Sequence, residues 1–214
     1  MQLLQSISRK KLTSTLLLGF HSTILGDMKK PTFLSNQFLI AMPNLMDPNF
    51  FHSVTYICEH NEFGAMGVVI NQQVNMTIGQ LMESIGVETP FTQHLINPVY
   101  RGGPVDPDCG FVLHSPTGDW QSTLHISDDI ALSTSRDIIS AIAKNEGPTD
   151  YLVALGYAGW GAGQLEHEIA ENAWLTVPAI PEIIFHTESD LRWTEAARLL
   201  GVEFSRLSEQ VGHA

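Results

Sequence analysis

Cys58 and His60 are the residues of this chain best placed by type and spacing to do chemistry. Two positions apart in VTYICEHN, they would share one face of a regular strand, where an imidazole lowers a thiol pKa and makes the sulfur a nucleophile. The pattern stops there. No carboxylate can be assigned to orient the histidine, and a cysteine in an apolar strand is more often a packing residue. His114 follows the apolar run GFVL and is a weaker candidate, for which a satisfied polar position is the simpler role. His167-Glu168-x-x-Glu171 looks like half of a zinc helix, because positions i and i+4 share a face, but no third ligand accompanies it. Opposite Leu165, Ile169 and Ala173, the stripe of Gln164, His167, Glu168 and Glu171 reads as a solvated helix face, and neither metal nor cofactor is expected.

Two glycine-rich segments could hold a ligand. GYAGWGAG (156–163) stands between an apolar run and a helix, the place of phosphate loops, yet its glycines miss the dinucleotide spacing and no Lys-Ser/Thr closes a Walker loop. It reads as a hinged turn from which Trp160 packs inward or lines a pocket. RGGPVDPD (101–108) offers Arg101 and backbone N–H groups to an anion, although a plain structural turn is the favoured reading. No GxSxG elbow is present, and Asp106, Asp108, Asp128 and Asp129 lie in turn-forming sequence.

The elements that must position these residues follow from periodicity and turn chemistry. Strands are expected at 38–41, 54–59 and 66–70, the last two joined as a hairpin through HNEFG. Thr77 with Gln80 forms a capping box for a short helix stopped by Gly86. Strands resume at 99–101, 110–114, 122–126 and 131–133, and Thr134 with Asp137 forms a second capping box before Ile138, Ile139 and Ile142. YLVALGY is a strand buried on both faces. A helix at 164–173, a strand at 174–177, a short helix from Pro181 and a last helix at 191–200 complete the chain. Strands early and helices late make an α+β fold.

Charge limits the partners. The 214 residues carry a formal charge of −12, but residues 1–30 hold five of the eleven basic side chains and only Asp27 among the acids. The remainder has six basic against 22 acidic residues, a net −16, which repels phosphate backbones and anionic headgroups. A small molecule or a protein segment is the expected partner, not nucleic acid or membrane. Two cysteines, Cys58 and Cys109, in a chain of this size read as free thiols of a cytoplasmic protein. Residues 1–27 combine Arg9, Lys10 and Lys11 with a Ser/Thr-interrupted apolar stretch and no cleavage motif. They read as a leader or a mis-assigned start, disordered, ahead of one domain from Met28 to residue 214.

FLIAMPNLMDPNFFHSVTYICEHNEFGAMGVVIN, followed by RGGPV, GFVLHS, TSRD and LVALGYAGWGAGQLEHEIAENAWL, resembles the AlgH/YqgE family of bacterial proteins from residue 36 onward. The resemblance implies an α+β domain with a curved or barrel-like, mainly antiparallel sheet, a cytosolic setting, and a family label of transcriptional regulator without a DNA-binding motif to support it. Its pattern runs through Met42, Pro43, Asp47, Cys58, His60, Asn71, Gly102, Gly103, Pro104, His114, Gly156, Tyr157, Trp160, Gln164, Glu168 and Trp174. The expected ligand site is where segments 41–43, 58–61, 102–104 and 156–160 meet. The expected function is a non-enzymatic ligand- or protein-binding regulatory module; a Cys/His enzyme and a direct DNA-binding regulator are the alternatives, the last opposed by charge.

Overall fold

The computed structural model describes residues 33–87 and 93–202. The expectations for residues 1–27 and for a start at Met28 lie outside the described residues. Ten strands form a curled, mainly antiparallel sheet: β1 (Gln37–Ala41), β2 (Val54–Asn61), β3 (Gly64–Val69), β4 (Gln73–Thr77), β5 (Pro98–Arg101), β6 (Val105–Ser115), β7 (Thr123–His125), β8 (Ala131–Ser133), β9 (Asp150–Gly161) and β10 (Trp174–Pro178). Their order is β10-β1-β2-β3-β9-β6-β8-β7, with β4 paired to β5. β5 is the exception in direction, running parallel to β9 through Tyr100 and Arg101. The short helices α1 (Ile78–Ser84), α2 (Arg136–Ala143), α3 (Gln164–Ala170), α4 (Pro181–Phe185) and α5 (Arg192–Arg198) pack around the sheet.

One face of the curled sheet supplies the largest core, where Phe38, Tyr56, Val68, Leu113, Leu152 and their neighbours meet Ile183 and Ile184 of α4 and Ala196 and Ala197 of α5. The opposite face is covered in two places. Ile78 and Met82 of α1 join Ile138 and Ile142 of α2 over Val112 and Val153, while Leu165 of α3 packs with Trp160 and Trp174. Alternating side chains on the strands fill opposite cores, which is how so thin a chain buries both faces.

Most elements agree with their local signals, and the departures have identifiable causes. The Thr77–Gln80 capping box of α1 forms reciprocally. The second box does not: Ser135, not Thr134, is the N-cap of α2, and no side chain caps it. Asp137 instead accepts from the backbone N–H of Gln121 at 2.9 Å, tying the preceding loop to the helix. β4 is a strand beyond those expected: Val74 and Met76 alternate toward the α1–α2 core, and its ladder partner is β5.

The larger correction concerns GYAGWG, which continues β9 to Gly161 and pairs with β3 there. Gly156 sits at φ +74° inside the strand, opposite a register shift between Val105 and Gly110 of β6. It is a bulge, not a turn, and it changes the side-chain phase. Before it Leu152 and Ala154 face the large core; after it Tyr157 faces that core and Ala158 and Trp160 face the tryptophan cluster. Gly102 and Gly103 thread past this bulge, where β5 leaves β9. A Cβ on Gly102 would lie 2.2 Å from the Gly156 carbonyl oxygen, and one on Gly103 the same distance from the Tyr157 carbonyl. The RGGP segment is therefore a close backbone crossing.

Candidate functional site

Cys58 and His60 do not share a face. The β2–β3 register shifts between Ile57 and Glu59, so that Ile57 opposes Gly67 and His60 opposes Ala65. Cys58 is the extra residue. Its side chain enters the large core beside Tyr56, whereas Ala65, the partner of His60, belongs to the tryptophan cluster on the other side. Burial pushes the Cys58 thiol pKa far up, aided by the nearby Glu59, against a weaker opposing hydrogen bond at Val68. A thiol held protonated in this way is a packing group. Cys58 and Cys109 are both free, the first buried and the second exposed.

The two imidazoles are locked into the structure. His60 Nδ1 accepts from Leu34 N–H at 3.0 Å, and its Nε2 meets Glu166 Oε1 at 2.9 Å. Glu166 is the carboxylate the sequence left unassigned, brought from α3 at a separation of 106 residues. His114 is fully buried, with Nδ1 at 3.1 Å from the Pro116 carbonyl and Nε2 at 2.9 Å from Ser133 Oγ, which in turn lies 2.7 Å from Thr123 Oγ1. Burial lowers its pKa, the Pro116 contact opposes that, and His125 adds to it.

Of the four segments expected to meet, 102–104 abuts 156–160 at Gly156 and Tyr157, and Ala41 shares the tryptophan cluster with Ala158 and Trp160. Phe50, from the loop after Met42 and Pro43, stacks on Trp160 at 6.0 Å and meets Trp174 edge-on at 5.4 Å. Glu168 turns inward from α3 and accepts from both indole N–H groups, at 2.9 and 2.8 Å, while Gln164 donates to its other oxygen. The solvated reading of this helix face thus holds for His167 and Glu171, whose side chains are 73 % and 68 % exposed, but not for Glu168. Trp160 is 6 % exposed, packed rather than lining a cleft. Asp47 caps its own turn by accepting from Asn49 N–H, and Asn71 bridges Val54 N–H and the His52 carbonyl. Gly102, Gly103, Gly156 and Tyr157 meet at the strand crossing, and Arg101 is an exposed end of β5. Among the described residues no group of three His, Cys, Asp or Glu could hold a metal ion.

An open cleft of about 210 Å³ lies elsewhere, between the β5 and β9 edge and the α4–α5 pair. Its walls include Tyr100, Leu152, Val153 and Ile184, and Arg192 reaches it from the first turn of α5. Residues 186–189 line it as well, and Gln73 Nε2 donates to Ser189 Oγ at 2.8 Å. Arg192 is 5 % exposed. Its Nε donates to the Thr187 carbonyl at 2.9 Å, its Nη1 to the Ile70 carbonyl, and its guanidinium carbon stands 5.0 Å from the centre of the Tyr100 ring. Among the described residues no carboxylate lies within 4.0 Å of it. Burial lowers its pKa, opposed by Tyr100 and by Glu188, and a guanidinium keeps its charge regardless. Sequence reading missed this residue. Its only local signal is a basic side chain between Leu191 and Trp193 in a chain with few cations.

No helix among the described residues is long and apolar enough to cross a membrane. Residues 38–205 match the AlgH-like family. A UPF0301 protein of Thioalkalivibrio sulfidiphilus is 59 % identical over 180 residues, 84 % of this chain and 96 % of that protein. One of Vibrio vulnificus is 50 % identical over 85 % of this chain and 99 % of its own length. The solution structure of the AlgH protein from Pseudomonas aeruginosa superposes with a TM-score of 0.71 at 48 % identity, covering 88 % of this chain and all of that one. A crystal structure from Corynebacterium diphtheriae shares the fold at a TM-score of 0.64 and 20 % identity, over 80 % of this chain and 90 % of that one. With the family match spanning most of the chain and the curled sheet common to the solved structures, this protein belongs to the AlgH-like family.

Proposed function

We propose that the protein is a non-enzymatic binding module that takes a small ligand in the cleft between the β5–β9 edge and the α4–α5 pair. The observation that carries this reading is the buried Arg192, a cation at the wall of an open cleft with no carboxylate within 4.0 Å among the described residues. The lining is mainly polar, with Gln73, Asn97, Thr187, Glu188 and Ser189 around Arg192 and the core residues Leu152, Val153 and Ile184 behind them, so a polar ligand fits it better than an apolar one. The groups that sequence favours for covalent chemistry lie outside its lining and are engaged internally, Cys58 in the core and His60 with Glu166. Direct DNA binding is opposed by the −16 charge of residues 31–214.

A ligand-profiled thermal shift on the full chain tests the reading. Some compounds are expected to raise Tm in proportion to ligand concentration, because a ligand that binds only the folded state stabilises it by mass action. The same compounds are expected to lose their effect on Gln73→Trp, which sets an indole across the cleft mouth from an exposed position. Stabilisation that survives Gln73→Trp would place binding elsewhere, and a chemically broad panel without any stabilising compound would refute a small-ligand module.

A further inference from the structure

Away from the cleft, we propose that His114, Ser133 and Thr123 form a reversible hydrogen-bond chain that fastens the loop 116–122 more firmly to the sheet when His114 takes up a proton.

The number of hydrogens in this chain is the reason. Four contacts run in series between two carbonyls of the loop: Pro116 O to His114 Nδ1 at 3.1 Å, His114 Nε2 to Ser133 Oγ at 2.9 Å, Ser133 Oγ to Thr123 Oγ1 at 2.7 Å, and Thr123 Oγ1 to Trp120 O at 3.1 Å. Carbonyls only accept, so each of the four contacts needs a hydrogen from one of the three side chains between them. The two hydroxyls supply one each, and a neutral imidazole supplies one more. The neutral chain is therefore one hydrogen short, and an imidazolium, a donor at both nitrogens, completes it.

What can move decides where the gap falls. With Nε2 held by Ser133, the buried ring cannot turn away from Pro116, and a bare Nδ1 would set its lone pair against the carbonyl oxygen. The gap belongs at the other end: Nδ1–H donates to Pro116, Ser133 donates to Nε2, Thr123 donates to Ser133, and the Trp120 carbonyl goes without the Thr123 hydrogen. Protonation at Nε2 turns both hydroxyls around. Ser133 then donates to Thr123, and Thr123 donates to Trp120. The three side chains stand on β6, β8 and β7, so the new bond ties the loop to the sheet. Burial and His125 on β7 oppose the added charge, which keeps His114 neutral at neutral pH and puts the reversal on the acid side. The other titratable groups around the chain are Tyr151 and Asp150 on the facing β9, Asp119 in the loop, and Asp137, which holds Gln121 N–H from α2.

An NMR titration of the full-length protein from neutral to acid pH tests the chain. The imidazole nitrogen shifts are expected to show a neutral His114 that carries its hydrogen on Nδ1. On acidification the Trp120 carbonyl carbon is expected to move downfield, as a carbonyl does on accepting a hydrogen bond, with the same midpoint as His114. Thr123→Val keeps the shape without the hydroxyl and is expected to hold the Trp120 signal still while His114 continues to titrate; Thr123→Ser is expected to restore the movement. His114→Gln is expected to abolish it, and His125→Gln to leave it in place with a shifted midpoint, which separates His114 from its charged neighbour. A Trp120 carbonyl that stays fixed as His114 titrates, or that still moves in Thr123→Val or His114→Gln, would overturn the proposal. So would a neutral His114 protonated at Nε2, or unfolding of the chain before His114 takes its proton.

Discussion

At the residue scale, some buried polar groups find partners on other elements and some do not, and two positions make the difference measurable. Glu168 serves both Trp160 and Trp174, which are 6 % and 3 % exposed. Replacing it with alanine leaves two buried indole N–H groups unpaired, at about 1–3 kcal/mol each. Glu168→Ala is expected to lose at least about 2 kcal/mol in urea unfolding, with a red shift of tryptophan emission in the folded state. Tyr151 is the opposite case. Its hydroxyl is buried without a hydrogen-bond partner among the described residues, and burial raises its pKa. Tyr151→Phe removes an unsatisfied group at constant shape, so its urea midpoint is expected to stay level or to rise by the equivalent of about 1 kcal/mol. A loss larger than that would reveal a partner for the hydroxyl.

At the element scale, bulges and close crossings decide which side chains meet. β2 carries an extra residue at Cys58, and β9 takes a left-handed step at Gly156 opposite the unpaired residues 106–109 of β6; each reverses the face presented beyond it. The first separates Cys58 from His60 and delivers His60 to Glu166; the second brings Trp160 beneath α3. Such a switch needs room where chains pass, and Gly102 provides it. With a Cβ there only 2.2 Å from backbone oxygen, Gly102→Ala forces a main-chain shift rather than a rotamer change. Overpacking of this kind costs about 1–3 kcal/mol, and the upper end is expected because the obstacle is backbone. Chemical denaturation checks the loss, and weakened amide-exchange protection at Val69 and at residue 102, whose N–H groups donate to the carbonyls of residue 102 and Leu155, checks its location.

At the scale of the whole molecule, stability should depend on pH through His114. Its folded-state pKa is depressed below the ordinary 6.5, so the unfolded chain binds more protons at this position. The contribution is therefore fully present above about pH 6.5 and declines as pH falls toward the folded value. A falling urea midpoint between pH 7.5 and 5.5 is expected, with a smaller slope in His114→Gln, since ordinary carboxylates titrate mostly below that window. An unchanged slope would show that other histidines carry the effect.

Sequence alone determined much of the local structure: the β2–β3 hairpin, the reciprocal Thr77–Gln80 cap, the helices at 136–143 and 164–170, and the acidic balance that opposes DNA binding. These signals are legible because they act within a few residues, through turn chemistry, hydrophobic period and formal charge. The site was less legible. The Cys58–His60 pairing assumed an uninterrupted strand, and GYAGWG looked like a turn because glycine serves bulges and turns alike. Only tertiary structure decided the phase beyond each bulge, the Glu168 bridge between two tryptophans, and the enclosure of Arg192 by Thr187 and the distant Ile70. Each of those depends on which strand edge lies opposite and which chain crosses it, and residues far apart in sequence leave no local pattern for such an encounter.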